Sequence, residues 1–126
     1  MNIPDDLLYS KDHEWIRIDG DNVEIGITDY AQGELGDVVF VELPEEGSEL
    51  KQTEPFGTIE AVKAVSELFS PISGLVSAIN SLVEEDAGII NRDPYGEGWM
   101  IKAKLSDVSE LEGLLKPEQY QELIKE

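Results

Sequence analysis

The chain has 126 residues, 28 of them acidic against 9 basic, for a net charge of −19, and it has no cysteine. A chain of this length is read as one domain that buries roughly two-thirds of its unfolded surface without a disulfide or cofactor. The charge excludes a surface that binds nucleic acid by neutralising phosphates and argues against an anionic membrane face, and the lack of thiols excludes disulfides, thiolate metal sites and cysteine nucleophiles.

The first residues, Met1 to Asp6, have neither the basic start nor the apolar stretch of a signal peptide, and no arginine-rich transit segment is seen, so a bacterial-type cytoplasm is the expected setting. Residues 10–13 are a polar lead-in to an alternating run over 14–18. A turn cluster over 19–22 and a returning run over 23–28 complete a first hairpin. Thr28 caps a short helix over 29–35. Residues 37–42 read as a buried strand, and 44–47 as the turn after it. Strands over 49–51 and 56–62 lead up to Lys63.

Beyond Lys63 a second run covers 65–70, Pro71 and Gly74 turn the chain, and 75–80 form a further strand. Residues 84–95, polar and holding glycine and proline, are expected to be a long connection. Residues 99–105 alternate, with Met100, Lys102 and Lys104 facing one way and Trp99, Ile101, Ala103 and Leu105 the other. Helical signals cover 106–115, with Ser106 as cap, and 117–125, with Pro117 at the start. The longest uncharged run, 68–83, holds Pro71, Gly74, Asn80 and four serines and is no membrane span. Trp15, Phe40, Trp99 and Ile101 are candidate core residues. Many short strands with turns between them predict a mainly β sandwich or barrel. Two similar acidic segments, 45–50 and 84–90, lie at similar distances either side of Lys63 and hint at two related halves.

Catalytic arrangements are poorly served. His13 is the sole histidine, so no multi-histidine metal site exists; His13-Glu14 begins like a zinc-protease motif, but Arg17 stands where a second histidine is required. Gly96 and Gly98 follow a proline and lack the partners of a phosphate-cradling loop. In so acidic a chain, pairs of carboxylates identify nothing. No catalytic residue and no metal site are therefore expected. Lys63 stands apart. The runs on its two sides read as a hairpin with Lys63 at the tip, and no other lysine lies within ten residues on either side. An exposed hairpin lysine ordinarily serves solubility, but this placement also offers a modifying enzyme one amine to select. A Schiff-base lysine would instead need its amine desolvated in a pocket.

The stretch over 57–74 resembles the attachment site of lipoyl and biotinyl carrier domains, and most closely that of the glycine cleavage system H proteins. His13-Glu14-Trp15 is similar to that family's opening motif. The segments 26–32, 36–44 and 94–102 are close to its other signatures, in order along residues 7–105. Biotin carriers usually place methionine on both sides of the lysine, where this chain has Val62 and Ala64. Lipoyl domains of 2-oxoacid dehydrogenases usually carry aspartate before it and lack the added first hairpin and C-terminal helices.

The resemblance implies a mainly β hybrid barrel-sandwich of two sheets with pseudo-twofold halves and short helices, two of them at the C-terminus. It implies one domain over 1–126, with a lipoyl-binding core at about 22–105 and a helical segment over 106–126. It implies (R)-lipoate covalently bound to Lys63 as lipoyllysine, on a monomeric, non-catalytic carrier. That carrier takes the aminomethyl group of glycine from glycine decarboxylase (P protein) to aminomethyltransferase (T protein), and dihydrolipoamide dehydrogenase (L protein) reoxidises the arm. Glu60 and Glu67 are implied to help a lipoate-attaching enzyme recognise the hairpin, or else to keep an exposed strand soluble. Asp12, Glu14, Ile27, Glu34 and Glu67 are implied to line a cleft in which the arm docks. At position 34 some relatives have histidine, which would change the charge of that cleft. Two other readings stay open: an H-like carrier serving another redox complex or relaying lipoate, and an unmodified interaction module.

Overall fold

The computed structural model describes residues 2–125; Met1 and Glu126, the ends of the expected domain, lie outside the described residues. The elements in order are β1 (Leu8–Tyr9), β2 (Glu14–Asp19), β3 (Asn22–Ile27), α1 (Asp29–Leu35), β4 (Val38–Glu42), β5 (Glu49–Leu50), β6 (Pro55–Ala61), β7 (Val65–Phe69), β8 (Gly74–Ile79), α2 (Ser81–Glu85), α3 (Ile89–Arg92), β9 (Ile101–Leu105), a 3₁₀ turn (Val108–Gly113) and α4 (Pro117–Ile124). One sheet has the order β1-β2-β3-β9-β8-β5 and the other β4-β6-β7. Every named pair is antiparallel. The result is a mainly β barrel-sandwich with short helices.

The inward faces of the two sheets supply the main core. Ile16, Ile25, Val41, Ile59, Leu68, Val76 and Ile101 meet there, as expected from alternation along strands with one buried face. β2 is different. Glu14, Trp15 and Ile16 are all buried, because the strand is covered on both faces. Ile16 enters the main core, while Trp15 points to a second cluster with Leu7, Tyr9, Tyr95 and Tyr120. Gly26 stands opposite Trp15 in the β2–β3 pair. A Cβ on Gly26 would lie 2.7 Å from the indole, so only glycine lets that ring lie across β3.

The second cluster seats the C-terminal helix. Tyr120 of α4 stacks on Tyr9 with ring centroids 4.7 Å apart. Its hydroxyl lies 2.7 Å from Thr28 Oγ1 and 3.0 Å from His13 Nδ1. Thr28 caps α1, as expected, by accepting from the Ala31 N–H. The last helix is thereby tied to the start of the first.

Several expectations need correction. Residues 84–95 are not one long connection: they hold the end of α2 and all of α3. Asn80 caps α2 by accepting from the Leu82 N–H, and its Nδ2 donates to the carbonyls of Glu97 and Trp99. Val83 and Ile90 anchor the two helices in the core. Helices of one turn or so are too short to show a period in sequence. Segments 45–50 and 84–90 therefore differ in structure, the first containing β5 and the second joining two helices. The two helices expected at the C-terminus are present, but the first is a 3₁₀ helix over Val108–Gly113 capped by Asp107, not Ser106.

Met100 is fully buried rather than aligned with Lys102 and Lys104, because the alternation of β9 begins one residue later. Trp99 is half-buried, with the Lys102 ammonium 4.8 Å from its ring centroid. Phe40 is exposed, on the outer side of a bulged edge strand. No helix among the described residues is long and apolar enough to cross a membrane.

Replacing Tyr120 by alanine should lower the unfolding free energy by about 3–5 kcal/mol, the usual cost of emptying a buried aromatic site. Tyr120→Phe keeps the stack and should cost only about 1 kcal/mol, for the lost hydroxyl contacts. Urea unfolding followed by tryptophan fluorescence measures both.

Candidate functional site

β6 and β7 form the hairpin expected around Lys63, paired from Pro55 opposite Phe69 to Glu60 opposite Val65, with one slip of register between Pro55 and Gly57. The Ala61 N–H donates to the Ala64 carbonyl at 2.8 Å, which leaves Val62 and Lys63 at the tip, both exposed. His13 and Thr53 are the non-glycine residues with positive φ among those described, so the tip turns without a left-handed residue. Its backbone is anchored where the Val62 N–H donates to the Asp37 carbonyl at 3.0 Å.

The neighbouring segment is built to receive the lysine stem. Gly36 closes α1 at φ 80°. A Cβ on this glycine would lie 3.4 Å from Lys63 Cδ and 3.5 Å from Cε, ordinary van der Waals contact, so the lysine stem lies against this segment and the positive φ, not space, calls for glycine. Asn91 of α3 holds the same segment from below. Its Nδ2 donates to the Gly36 carbonyl and to Gln32 Oε1, each at 2.9 Å, and its Oδ1 accepts the Val38 N–H at 2.8 Å. Sequence reasoning missed Asn91, because a single asparagine in a polar stretch carries no periodic signal.

Beside the hairpin lies a cavity of about 280 Å³ lined by Asp12, Glu14, Ile27, Glu34 and Glu67, with His13, Tyr30, Leu35 and Leu68 among the other walls. The turn over 10–13, α1 and the strand β7 form its sides. Ile27 and Glu14 are buried, while Asp12, Glu34 and Glu67 are more open to solvent. Glu60 lies elsewhere. It faces Phe40 on one neighbouring strand and Val65 on the other, and Glu67 stands opposite Thr58. By strand alternation Glu60 and Glu67 share the outer face of the three-stranded sheet, with Glu67 also at the cavity rim.

Glu14 is the unusual member, only 2 % exposed. The Ser10 hydroxyl donates to its Oε1 at 2.6 Å and the Phe69 N–H reaches its Oε2 at 3.3 Å. Burial pushes its pKa up to about 8, against the pull of those two hydrogen bonds and with a small push from Asp12. At neutral pH the cleft floor is thus a mostly protonated carboxylic acid. His13, overlooked as a cleft residue, sits at φ 70° between Tyr120 and Tyr30. Burial lowers its pKa, opposed by Asp12 and Glu34.

A two-sheet barrel-sandwich that holds a single lysine out on a hairpin tip is the scaffold of lipoyl-type carrier proteins. The chain belongs to the family described as "Glycine cleavage H-protein", which matches over residues 7–126. It is 54 % identical over 126 residues to the glycine cleavage system H protein of Geobacillus kaustophilus (strain HTA426), covering all of this chain and 99 % of that one. It is 56 % identical over 124 residues to the protein of the same name from Rubrobacter xylanophilus, covering 98 % and 96 %. The crystal structure of a glycine cleavage system H protein from Mycobacterium marinum superimposes with a TM-score of 0.88 at 40 % identity, covering 95 % of this chain and 97 % of that one.

The raised pKa of Glu14 makes stability depend on pH with a definite sign. The folded state holds the proton more tightly than the unfolded chain, whose value is near 4.5. The stabilising contribution of the neutral acid is complete below about 4.5 and is lost as pH rises through about 8. Glu14→Gln should flatten this slope, by an amount on the order of a few kcal/mol across the window. Urea unfolding of both proteins at a series of pH values checks it.

Proposed function

We propose that this chain is the lipoylated, non-catalytic carrier of a glycine cleavage system, with lipoate joined to Lys63 by an amide bond. It moves the aminomethyl group of glycine from glycine decarboxylase to aminomethyltransferase, and dihydrolipoamide dehydrogenase restores its arm. The observation that carries this reading is the position of Lys63: exposed at an anchored hairpin tip, its stem against Gly36, beside a cleft that starts at the adjoining helix. Bound lipoate supplies a dithiolane that accepts electrons and a carbon unit at sulfur. The protein supplies a rigid mount and a high effective concentration, since a tethered group does not diffuse away between partner enzymes.

The cleft fits such an arm in size and chemistry. About 280 Å³ is close to the roughly 300 Å³ at which small-ligand sites begin. Ile27 presents hydrocarbon, and Asp12, Glu14, Glu34 and Glu67 present carboxyl groups on its walls. A cationic amine brought beside Glu14 favours the ionised carboxylate, so docking of such a cargo is coupled to loss of the Glu14 proton. The resulting charge-assisted hydrogen bond, in a site screened from water, is stronger than a neutral one. Retention of the cargo should therefore tighten as pH rises toward about 8.

Intact mass of the protein from its native host, followed by peptide mapping, should place one lipoyl group on Lys63. Lys63→Arg should fold normally, gain no mass and lose all carrier activity; glycine-dependent turnover that survives in this variant would overturn the reading. Glu14→Ala should still be lipoylated but release the aminomethyl group faster from the isolated loaded protein. An unchanged rate there, and again in a Glu14/Glu67 double variant, would remove the protective role of the cleft.

A further inference from the structure

Three polar side chains meet between α4, α1 and the turn over 10–13, and their protons can be placed one by one. Thr28 and Tyr120 are fully buried. Thr28 Oγ1 accepts the Ala31 N–H at 3.2 Å and lies 2.7 Å from the Tyr120 hydroxyl. It has no other partner among the described residues, so the Thr28 proton has one acceptor, the Tyr120 oxygen. The proton of Tyr120 then has one acceptor left, His13 Nδ1 at 3.0 Å. Buried hydroxyl groups use their donor capacity, so the order of donation runs from Thr28 to Tyr120 to His13. With Nδ1 accepting, the proton of the neutral ring sits on Nε2. An imidazolium would aim a second N–H at the Tyr120 oxygen and strand the phenol proton. Burial lowers the pKa of His13 in the same direction, opposed by Asp12 and Glu34.

Nε2 itself has no partner among the described residues, yet none of their buried side-chain nitrogens or oxygens lacks one. The Nε2–H is therefore open to solvent. His13 is a wall of the cavity of about 280 Å³ and Tyr120 is not, so the ring turns Nδ1 to the helix behind it and its other edge to the cavity. Its place along the cavity follows from α1. The Thr28 N–H donates to the His13 carbonyl at 3.0 Å, which sets His13 beside the start of the helix, while the Lys63 stem lies against Gly36 at its end. The 7 residues of α1 put about 10 Å between the two, a span close to that of the acyl chain joining a lipoyl amide to its dithiolane.

We propose that the His13 Nε2–H donates a hydrogen bond to a sulfur of the docked arm, the one that carries no cargo, and that Tyr120 of α4 is the positioning residue that holds the ring in this form. The inference rests on the reading of Lys63 as the attachment site and deepens it. Carboxylates suit a cationic amine but repel the lone pairs of a sulfur, which need a donor. A neutral imidazole with its proton on Nε2 supplies that donor and places no second positive charge beside the amine. The two ends of the load are thus held by groups of different kinds: carboxyl walls for the nitrogen, and one N–H for the sulfur left free. The C-terminal helix, which lines none of the cavity, determines through one hydroxyl which hydrogen-bonding face the cavity receives.

His13 is the sole histidine, so nitrogen-15 NMR of protein labelled at histidine reads one imidazole. In the unmodified protein at neutral pH, Nδ1 should show the shift of a bare acceptor and Nε2 that of a protonated nitrogen. Tyr120→Phe, which keeps the ring stack, should move this pattern toward the tautomer mixture of a free imidazole. In the isolated loaded protein the Nε2 resonance should shift from its position in the unmodified one. The aminomethyl group should leave several-fold faster from Tyr120→Phe and about tenfold faster from His13→Asn, the equivalent of one hydrogen bond. Asparagine tolerates φ 70°, and its Oδ1 takes the place of Nδ1, so this variant keeps the tie to Tyr120 and loses the donor to the cavity. Lipoylation, at the other end of α1, should run at the parent rate in both. A protonated Nδ1 in the unmodified protein overturns the proposal. So does an Nε2 resonance unmoved by loading, or a parent release rate in His13→Asn; if that variant folds poorly, the release rate of Tyr120→Phe decides. Peptide mapping that finds no lipoyl group on Lys63 is a different result: it overturns the attachment reading and the contact with the arm, while the tautomer in the unmodified protein still judges the relay from Thr28 to His13.

Discussion

The segment Gly36 to Val38 is pinned from two sides, and the display of Lys63 depends on it. From below, Asn91 satisfies the Gly36 carbonyl and the Val38 N–H; from above, the Asp37 carbonyl receives the Val62 N–H. Buried and half-buried backbone groups must find partners, and here they find them in a way that joins α1, α3, β4 and the β6–β7 tip. Without that clamp the tip beyond Ala61 would be held only by the pairing of β6 with β4 and β7. With it, the last turn of α1 sets the height and direction of the lysine, and the same helix forms one wall of the adjoining cleft.

A second constraint runs through Glu14. Taking a carboxyl group to 2 % exposure costs free energy unless the group is neutral or well paired. Its partners, Ser10 and Phe69, are neutral dipoles, so the group keeps its proton. The same residue belongs to a strand buried on both faces and adjoins the histidine that Tyr120 holds in place. The C-terminal helix is therefore part of the cleft's support although it contributes no residue to the cavity lining.

Much of the fold was legible in the sequence where burial is one-sided. The β2–β3 hairpin, capped α1, the β6–β7 hairpin and the outward Lys102 and Lys104 of β9 all follow from alternation and turn residues. Legibility failed where another rule prevailed. β1 is a two-residue strand, and α2 and α3 are single turns set by Asn80 and by core contacts from distant strands, which leave no local pattern. Phe40 reads as core by type, but a bulge on an edge strand turns it outward. At the site, the period-2 runs on either side of Lys63 identified the tip. The cleft residues came from resemblance to a family, and the structure brings Asp12, Glu14, Ile27, Glu34 and Glu67 round one cavity. No pattern in the chain announced Asn91, or the role of His13 as a wall, since both depend on contacts between segments far apart in sequence.

The tip is closed by the hydrogen bond from Ala61 to Ala64 and anchored on Asp37, holds no glycine and has no residue in the left-handed region. Its backbone is therefore a fixed pivot, and any group carried on Lys63 moves by rotation about side-chain bonds alone. The volume such a group sweeps is a shallow cap above one point of the molecule, part of it taken up by the cleft beside α1. Every enzyme that serves the group must bring its own entrance to that one cap. Two enzymes that act on such a group would therefore compete for one place on the carrier.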